Sequence, residues 1–402
     1  MDTYSDFLTK SPIVIDNGSG TMKAGLAGKI LIFKKLYKFK GKKLINIIFI
    51  FIGEDTPKLV FNTLVGRPKY TPVLPNVKQQ QYHIGNFKEE NRGLLKLNYP
   101  MQHGIVKDWN DMDLIWQHIF SELKVNPNEY PIFLTEPALN PLAEKAKMAQ
   151  HFFESYSTPA LFIGVQGVLS LFASGKTTGI VIEIGDGVTQ VVPIFEGYYL
   201  QHANQRIDLG GRDITEQLKN LLRRSGYSFN TTAEFEIVKH IKETRCQLSP
   251  TTYLVMEKKY SKFAENYTLP DGANISINAE KFQAPEILFT PEAIGYEYPS
   301  VAELLIKSVQ KCDIDLRKSL VQEVVVSGGS TLIKEFPERF ISDVKRLGQK
   351  DLKMKFFIPP NRQFLAWQGG SILSNLNYFK NYWITKKEYE EEGERILLKK
   401  SF

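Results

Sequence analysis

Two stretches of this chain place an acid and then Gly-x-Gly between apolar runs. In the first, Ile13-Val14-Ile15 leads into Asp16-Asn17-Gly18-Ser19-Gly20, and Met22 to Leu26 follows. In the second, Ile180 to Ile182 leads into Glu183 and then Gly185-Asp186-Gly187, and Val188 to Ile194 follows. Each reads as strand, tight turn and returning strand. The residue types suit a phosphate chain. Glycine permits positive φ and carries no Cβ to block an approaching phosphate. Successive N–H groups in such a turn form a concavity for anions. Ser19 adds a hydroxyl donor, and Lys23 supplies a point charge for a β- or γ-phosphate. Asp16 and Glu183 are then placed to hold Mg²⁺ through its waters, because Mg²⁺ dehydrates reluctantly. Taken singly, either stretch reads more readily as an ordinary glycine-turn hairpin. Their recurrence, once in each half, points to two related lobes.

A third element narrows the chemistry. Val324 to Val326 runs into Ser327-Gly328-Gly329-Ser330, with a helix expected beyond. A Gly-Gly pair after a strand lets backbone approach a flat group or a ribose closely. Two phosphate hairpins followed by strand, Gly-Gly and helix resemble the ATPase superfamily shared by actin, Hsp70 and the sugar kinases. The phrases DNGSGTMKAG, VGRPKY, RGLLKLNYPMQHGIVKDWNDM, ASGKTTGIV, LPDG, APEILF and WQGGSIL are similar to actin-family sequence over nearly the whole chain outside residues 29–53. Within that family, GIVKDWNDM, AEFEIVKHIKE, SGGSTL and the tail KKEYEEEGER most resemble the actin-related branch that forms the short filament of dynactin.

The resemblance implies the α/β ATPase fold of that superfamily: two similar lobes, in four subdomains, around a cleft for ATP or ADP with Mg²⁺ or Ca²⁺. The first lobe would take residues 1–173 and 365–402, with a small outer subdomain near 63–99. The second would take 174–364, with its outer subdomain near 210–296. Carried over residue by residue, Asp16, Gly18, Ser19, Gly20 and Lys23 match the first phosphate loop. Gly185, Asp186, Gly187 and Val188 match the second. Lys239, Lys242 and Glu243 match the adenosine side, on a helix expected over Ala233–Gln247, where Phe235, Val238 and Ile241 recur at helical spacing. Gly328 and Gly329 match the contact from the opposite face. His103 falls where many actins carry a modified histidine near the phosphates.

Departures from the family pattern bear on catalysis. Glu183 stands where actins open the second loop with Asp. Actins orient the attacking water with a Gln and a His; Gln150 is matched to the Gln, and Gln190 occupies the His position. A glutamine can bond water but cannot act as an imidazole acid or base. On the adenine side, Ile333 replaces a family Tyr and Gln363 a Lys. The resemblance therefore implies ATP binding with at most weak ATPase activity, resting on positioning and electrostatics, and a mainly structural role.

The surrounding chain has 402 residues and a formal charge of +7. Residues 29–53 use only Lys, Ile, Leu, Phe, Tyr, Gly and Asn, with seven lysines and no acid; the rest holds 44 basic against 44 acidic residues. That neutral remainder gives no electrostatic case for nucleic acid. The longest strongly apolar run, Leu44 to Ile52, is nine residues, short of the roughly 20 that span a bilayer. The start, MDTYSDFLTKSP, lacks the apolar centre of a secretory signal. Cys246 and Cys312 stand outside any metal or CxxC spacing and read as buried thiols of a reducing compartment. Deleting 29–53 joins Gly28 to Glu54 and yields AGLAGEDTPKL, an uninterrupted actin-like phrase. Three readings stay open for the segment: translated intervening sequence, a basic loop for membrane or acidic protein, or an added hairpin around Gly41.

Thr71 to Tyr82, with its two prolines and three glutamines, occupies the place of the loop that inserts into the neighbouring actin subunit and reads as irregular and exposed. The partners implied are further copies of the chain in a head-to-tail polymer, dynactin subunits and the dynein machinery, and actin-type capping proteins. The place implied is the cytoplasm and its cytoskeleton, serving microtubule-based transport. A divergent conventional actin is the alternative. A phosphotransferase or chaperone ATPase on the same cleft is a remote one, since actin-like phrases run to Phe402.

Overall fold

Ile13, Val14 and Ile15 are all fully buried because both faces of their strand are covered: Ile13 and Ile15 enter one core, Val14 another. Continuous apolar runs of this kind are what a strand buried on two faces requires. The computed structural model describes residues 10–39, 42–52, 56–70, 81–87, 93–249, 264–348 and 353–400.

Strand β1 (Ile13–Asn17) pairs antiparallel with β2 (Thr21–Leu26), which pairs with β5 (Leu59–Asn62). On its other side β1 runs parallel to β6 (Ile132–Glu136), and β6 parallel to β7 (Ala160–Val165). A short antiparallel strand, Ile384–Thr385, completes this six-stranded sheet. A second sheet repeats the plan. Strand β8 (Gly179–Ile184) forms a hairpin with β9 (Thr189–Phe195) and runs parallel to β10 (Val324–Ser327).

The chain passes from the first sheet to the second through α3 (Gln166–Ala173) and returns through α7 (Leu365–Ser374). These helices pack so closely that a Cβ on Gly369 would lie 1.9 Å from the Leu169 carbonyl oxygen. A cluster containing Val165, Val168 and Leu365 with Val181, Val192 and Val325 seals the seam between the sheets.

Two outer pieces rise from the sheets. One is a small antiparallel sheet of residues 65–68, 83–84 and 95–98. The other carries α4 (Gly211–Arg224), α5 (Thr232–Arg245) and a hairpin of residues 265–268 and 274–277, closed by the Pro-Asp-Gly turn. Helix α5 starts where Thr231 and Glu234 form a capping box, which satisfies N–H groups that the helix leaves free. Cys246 and Cys312 are free and buried. Among the described residues no helix is long and apolar enough to cross a membrane.

The Lys-rich segment forms β3 (Lys29–Phe39) and β4 (Lys42–Ile52), an antiparallel pair joined to no other described strand. Around it the core ladder closes directly, with Ala24 opposite Leu59. Gly28, where the segment departs, is held by Ser371 and Asn375: its N–H donates to Ser371 Oγ at 3.0 Å, and its carbonyl accepts from Asn375 Nδ2 at 2.5 Å. Of the loop expected at Thr71 to Tyr82, all but Gln81 and Tyr82 lies outside the described residues, as do Gly41 and the N-terminal nine residues.

Gly369→Ala should destabilise the protein by about 1–3 kcal/mol through overpacking, read as a lower urea midpoint at unchanged slope. Gly329→Ala, whose added Cβ meets nothing within 4 Å, should move the midpoint little.

Candidate functional site

In sheets of parallel strands, ligands bind beyond the strands' carboxyl ends. The ends of β1, β6 and β7 bring Asp16, Thr135 and Gln166 together. Asp16 is buried, with three partners: Thr135 Oγ1 and Gln166 Nε2 donate to its Oδ1 at 2.6 and 3.0 Å, and Lys23 Nζ donates to Oδ2 at 2.9 Å. Lys23 can reach it because the two residues are directly opposite in the β1–β2 ladder. The ladder continues through Asn17 and Met22. Asp16 therefore lies within a strand rather than in the turn that the sequence suggests.

The second lobe mirrors this arrangement. Glu183 and Gln190 are opposite in the β8–β9 ladder, and Gln190 Nε2 donates to Glu183 Oε2 at 2.8 Å. The other end of the same amide accepts the Ala138 N–H at 2.7 Å. Gln190 is thus clamped between the two lobes. Beyond β10, Gly328 takes φ +96°, and a Cβ there would lie 2.2 Å from the Ile184 carbonyl oxygen. Ser330 Oγ donates to the Gly185 carbonyl at 2.7 Å, tying the Gly-Gly step to the second turn.

The two glycine turns touch. A Cβ on Gly20 would lie 2.6 Å from Asp186 Cβ, and one on Gly187 would lie 3.1 Å from Ser19 Oγ. Positive φ, which the sequence suggests for these turns, is not their device: Gly18, Gly20, Gly185 and Gly187 all lie outside that region. At Gly20 and Gly187 glycine is needed because the other lobe comes close, Asp186 at Gly20 and the His103 backbone at Gly187, whereas at Gly18 the near atom is the Thr21 carbonyl oxygen of its own turn. His103 does adopt positive φ, at 47°, and its Nδ1 lies 2.8 Å from the Gly187 carbonyl oxygen.

The cleft between the turns has a volume of about 470 Å³. Its walls include Asp16, Gly18, Ser19, Gly20 and Lys23 from the first lobe. Glu183, Gly185, Asp186, Gly187, Val188 and Gln190 face them from the second, and Lys239, Lys242, Glu243, Gly328 and Gly329 complete the far end with Ile333 and Gln363. Lys242 is not on a solvated helix face. It is buried, its Nζ donates to the Gly211 carbonyl at 2.8 Å, and burial pulls its pKa down. Lys239 Nζ donates to Asn62 Oδ1 at 2.9 Å, while Glu243 is exposed at the rim.

Gln150 corrects the sequence reading. It ends α2 (Leu142–Gln150) on the surface, is absent from the cleft wall, and its Nε2 bonds Glu154 Oε2 at 3.1 Å. Gln166 occupies the cleft instead, bonded to Asp16 and Thr135. The signal for it was a polar residue directly after the apolar run Ala160 to Val165, at a strand's carboxyl end. Matching Gln150 by the nearby phrase placed the residue in the wrong element.

Charge decides what the cleft can hold. Burial, and then Asp16 nearby, pushes the Glu183 carboxyl up to about 7, against the opposing pull of the Gln190 hydrogen bond and Lys23. Two enclosed carboxylates that repel one another suit a divalent cation, which removes the repulsion. Glycine turns of this kind suit an oxygen-rich anion. The donor set fits a nucleotide with its cation, which Asp16 and Glu183 would hold.

The actin family model matches residues 49–402. An actin-like protein of Neurospora crassa is 43% identical over 409 aligned residues, covering 98% of this chain and 99% of that protein. The family match starts inside β4, so the first glycine turn lies upstream of it and falls within the longer alignment.

Without a cation, the raised Glu183 pKa favours the folded state below its ordinary value of 4.5, and that contribution is lost as pH rises through about 7. Cation binding runs the other way, since it needs the carboxylate. Affinity of the nucleotide-free protein for Mg²⁺ or Ca²⁺ should fall below pH 7 by up to about tenfold per unit. Glu183→Gln should weaken binding and flatten that dependence in calorimetric titrations.

Proposed function

This chain belongs to the actin family, and from that premise we propose that it is an ATP-binding actin-related protein of the centractin kind. In this reading it assembles head to tail into a short filament, that of dynactin, and supports dynein-driven transport in the cytoplasm. The observation that carries nucleotide-gated assembly is the contact of the two glycine turns, one from each lobe. A phosphate chain seated there bonds both lobes at once and so sets their relative angle. The phrases GIVKDWNDM, AEFEIVKHIKE and SGGSTL support the centractin branch.

In this reading hydrolysis is at most weak, for reasons that lie in the cleft's own residues. Gln190 has its carbonyl on the Ala138 amide and its NH₂ on Glu183, and no protonation state in which to take a proton from water. Gln166, anchored on Asp16, is the residue we assign to orienting a water. Asp16 and Glu183 hold the cation, which supplies charge neutralisation for the phosphates when bound. Lys23, paired with Asp16, retains further N–H donors for a phosphate oxygen.

We also propose that the functional protein lacks residues 29–53. The β2–β5 ladder closes across the segment, and β3 and β4 pair only with each other among the described strands. The Lys/Ile/Phe/Asn bias is what A/T-rich noncoding DNA encodes. A tryptic peptide of native protein running from Gly28 directly to Glu54 is the expected result; an intact Ile-Asn-Ile-Ile peptide refutes it.

Purification from native source tests the function itself. Bound adenine nucleotide and companion dynactin subunits are expected; co-polymerisation with conventional actin instead would select the divergent-actin reading. Gln190→His should raise phosphate release at least about tenfold, part of the ~10²–10⁴ that a placed base contributes. Gln166→Ala should lower it with little change in nucleotide affinity.

A further inference from the structure

Behind the first glycine turn, three side-chain atoms are enclosed with no hydrogen-bond partner among the described residues: Asn17 Nδ2, Asn140 Oδ1 and Glu144 Oε2. All three side chains line one small pocket, next to the cleft and sharing Asn17, Gly104 and Pro137 with it. The far ends of both amides are already committed. Trp116 Nε1 donates to Asn17 Oδ1 at 3.2 Å, and Asn140 Nδ2 donates to Glu136 Oε2 at 3.1 Å. Glu136 is itself held by Lys145 Nζ at 2.6 Å. These partners fix each amide's orientation, so neither can be turned to present its other atom. The atoms left for the pocket are one N–H donor and two oxygen acceptors.

That set selects its occupant. A metal ion would face the Asn17 NH₂, and an anion would face the Glu144 carboxylate. Ammonium offers no acceptor to Asn17. Water accepts one hydrogen bond and donates two, which matches the set. The pocket leaves about 10 Å³ of freedom for the centre of such a sphere, the room of a single molecule.

We propose that this pocket binds one water, which links Asn17, the last residue of β1 before the glycine turn, to the start of α2 through Asn140 and Glu144. Asn17 adjoins Asp16, and its backbone N–H already donates to Thr135 Oγ1 at 3.2 Å. The water gives the turn a second anchor, on the side away from Trp116. Asn140 and Glu144 are then positioning residues for the nucleotide, a consequence that rests on the nucleotide-binding reading of the cleft.

The test has two arms. A crystal structure of the full chain, at a resolution that shows ordered water, should place density within hydrogen-bond reach of all three atoms. Asn17 Nδ2 turned onto a protein acceptor, or no density there, overturns the site. In the second arm, Glu144→Gln keeps an acceptor oxygen and Glu144→Leu removes it. ATP affinity should fall about tenfold in the Leu variant, as for outer-shell partners of other bound groups, and stay within about twofold of the parent in the Gln variant. Equal losses in both, or none in the Leu variant, overturn the positioning role. Ordered water in a protein that binds no ATP would refute the proposed function and uphold the site.

Discussion

The structure depends on the approach of two backbone turns, one from each sheet, to van der Waals contact. Gly20 meets Asp186 where any Cβ would clash, and Gly187 meets Ser19 and His103. Everything around this contact serves to hold it. The seam cluster and the α3–α7 pair hold the sheets at a fixed spacing. Ser330 and Gln190 then tie the second turn and its strand to their neighbours. Each contact has a glycine on one side, at Gly20 against the Asp186 side chain and at Gly187 against Ser19 Oγ, so the turns approach without a Cβ between them.

The same closeness concentrates like charge. Among the described residues Asp16 is satisfied by three donors within its own lobe, whereas Glu183 has one hydrogen bond, from Gln190, and faces Asp16. Burial without full pairing is costly for a carboxylate, so the Glu183 pKa is pushed up to about 7, by burial first and then by Asp16. Gln190 has a structural consequence. Its amide bridges β9 to Ala138 in the first lobe, so a residue that cannot act as a base still fastens the cleft.

The Lys-rich hairpin marks the boundary between what the fold needs and what it carries. Its strands pair only with each other among the described ones, while Gly28 at its root is bonded to α7 and to Asn375 just beyond it. The core ladder across it is complete without it. An insertion at such a point leaves sheet register untouched, because β2 and β5 are already aligned by their own apolar residues, Met22 opposite Phe61.

Features set by local chain chemistry were legible in the sequence. Buried strands showed as apolar runs, the glycine turns as acid followed by Gly-x-Gly, and α5 as the helical spacing of Phe235, Val238 and Ile241. These depend on residues adjacent in the chain, and their physical reasons, burial and backbone freedom, are local. What the tertiary structure decided was which residues from distant elements share a space. The Gln beside Asp16 is Gln166, at a strand's end 150 residues away, and not Gln150, which faces solvent. Gly20 and Gly187 serve an approach between lobes and not a positive φ. Lys242, one of several charges on its helix, is the one folded inward onto Gly211. Each of these outcomes turns on distances between elements far apart in the chain, and spacing along one chain carries no measure of those distances.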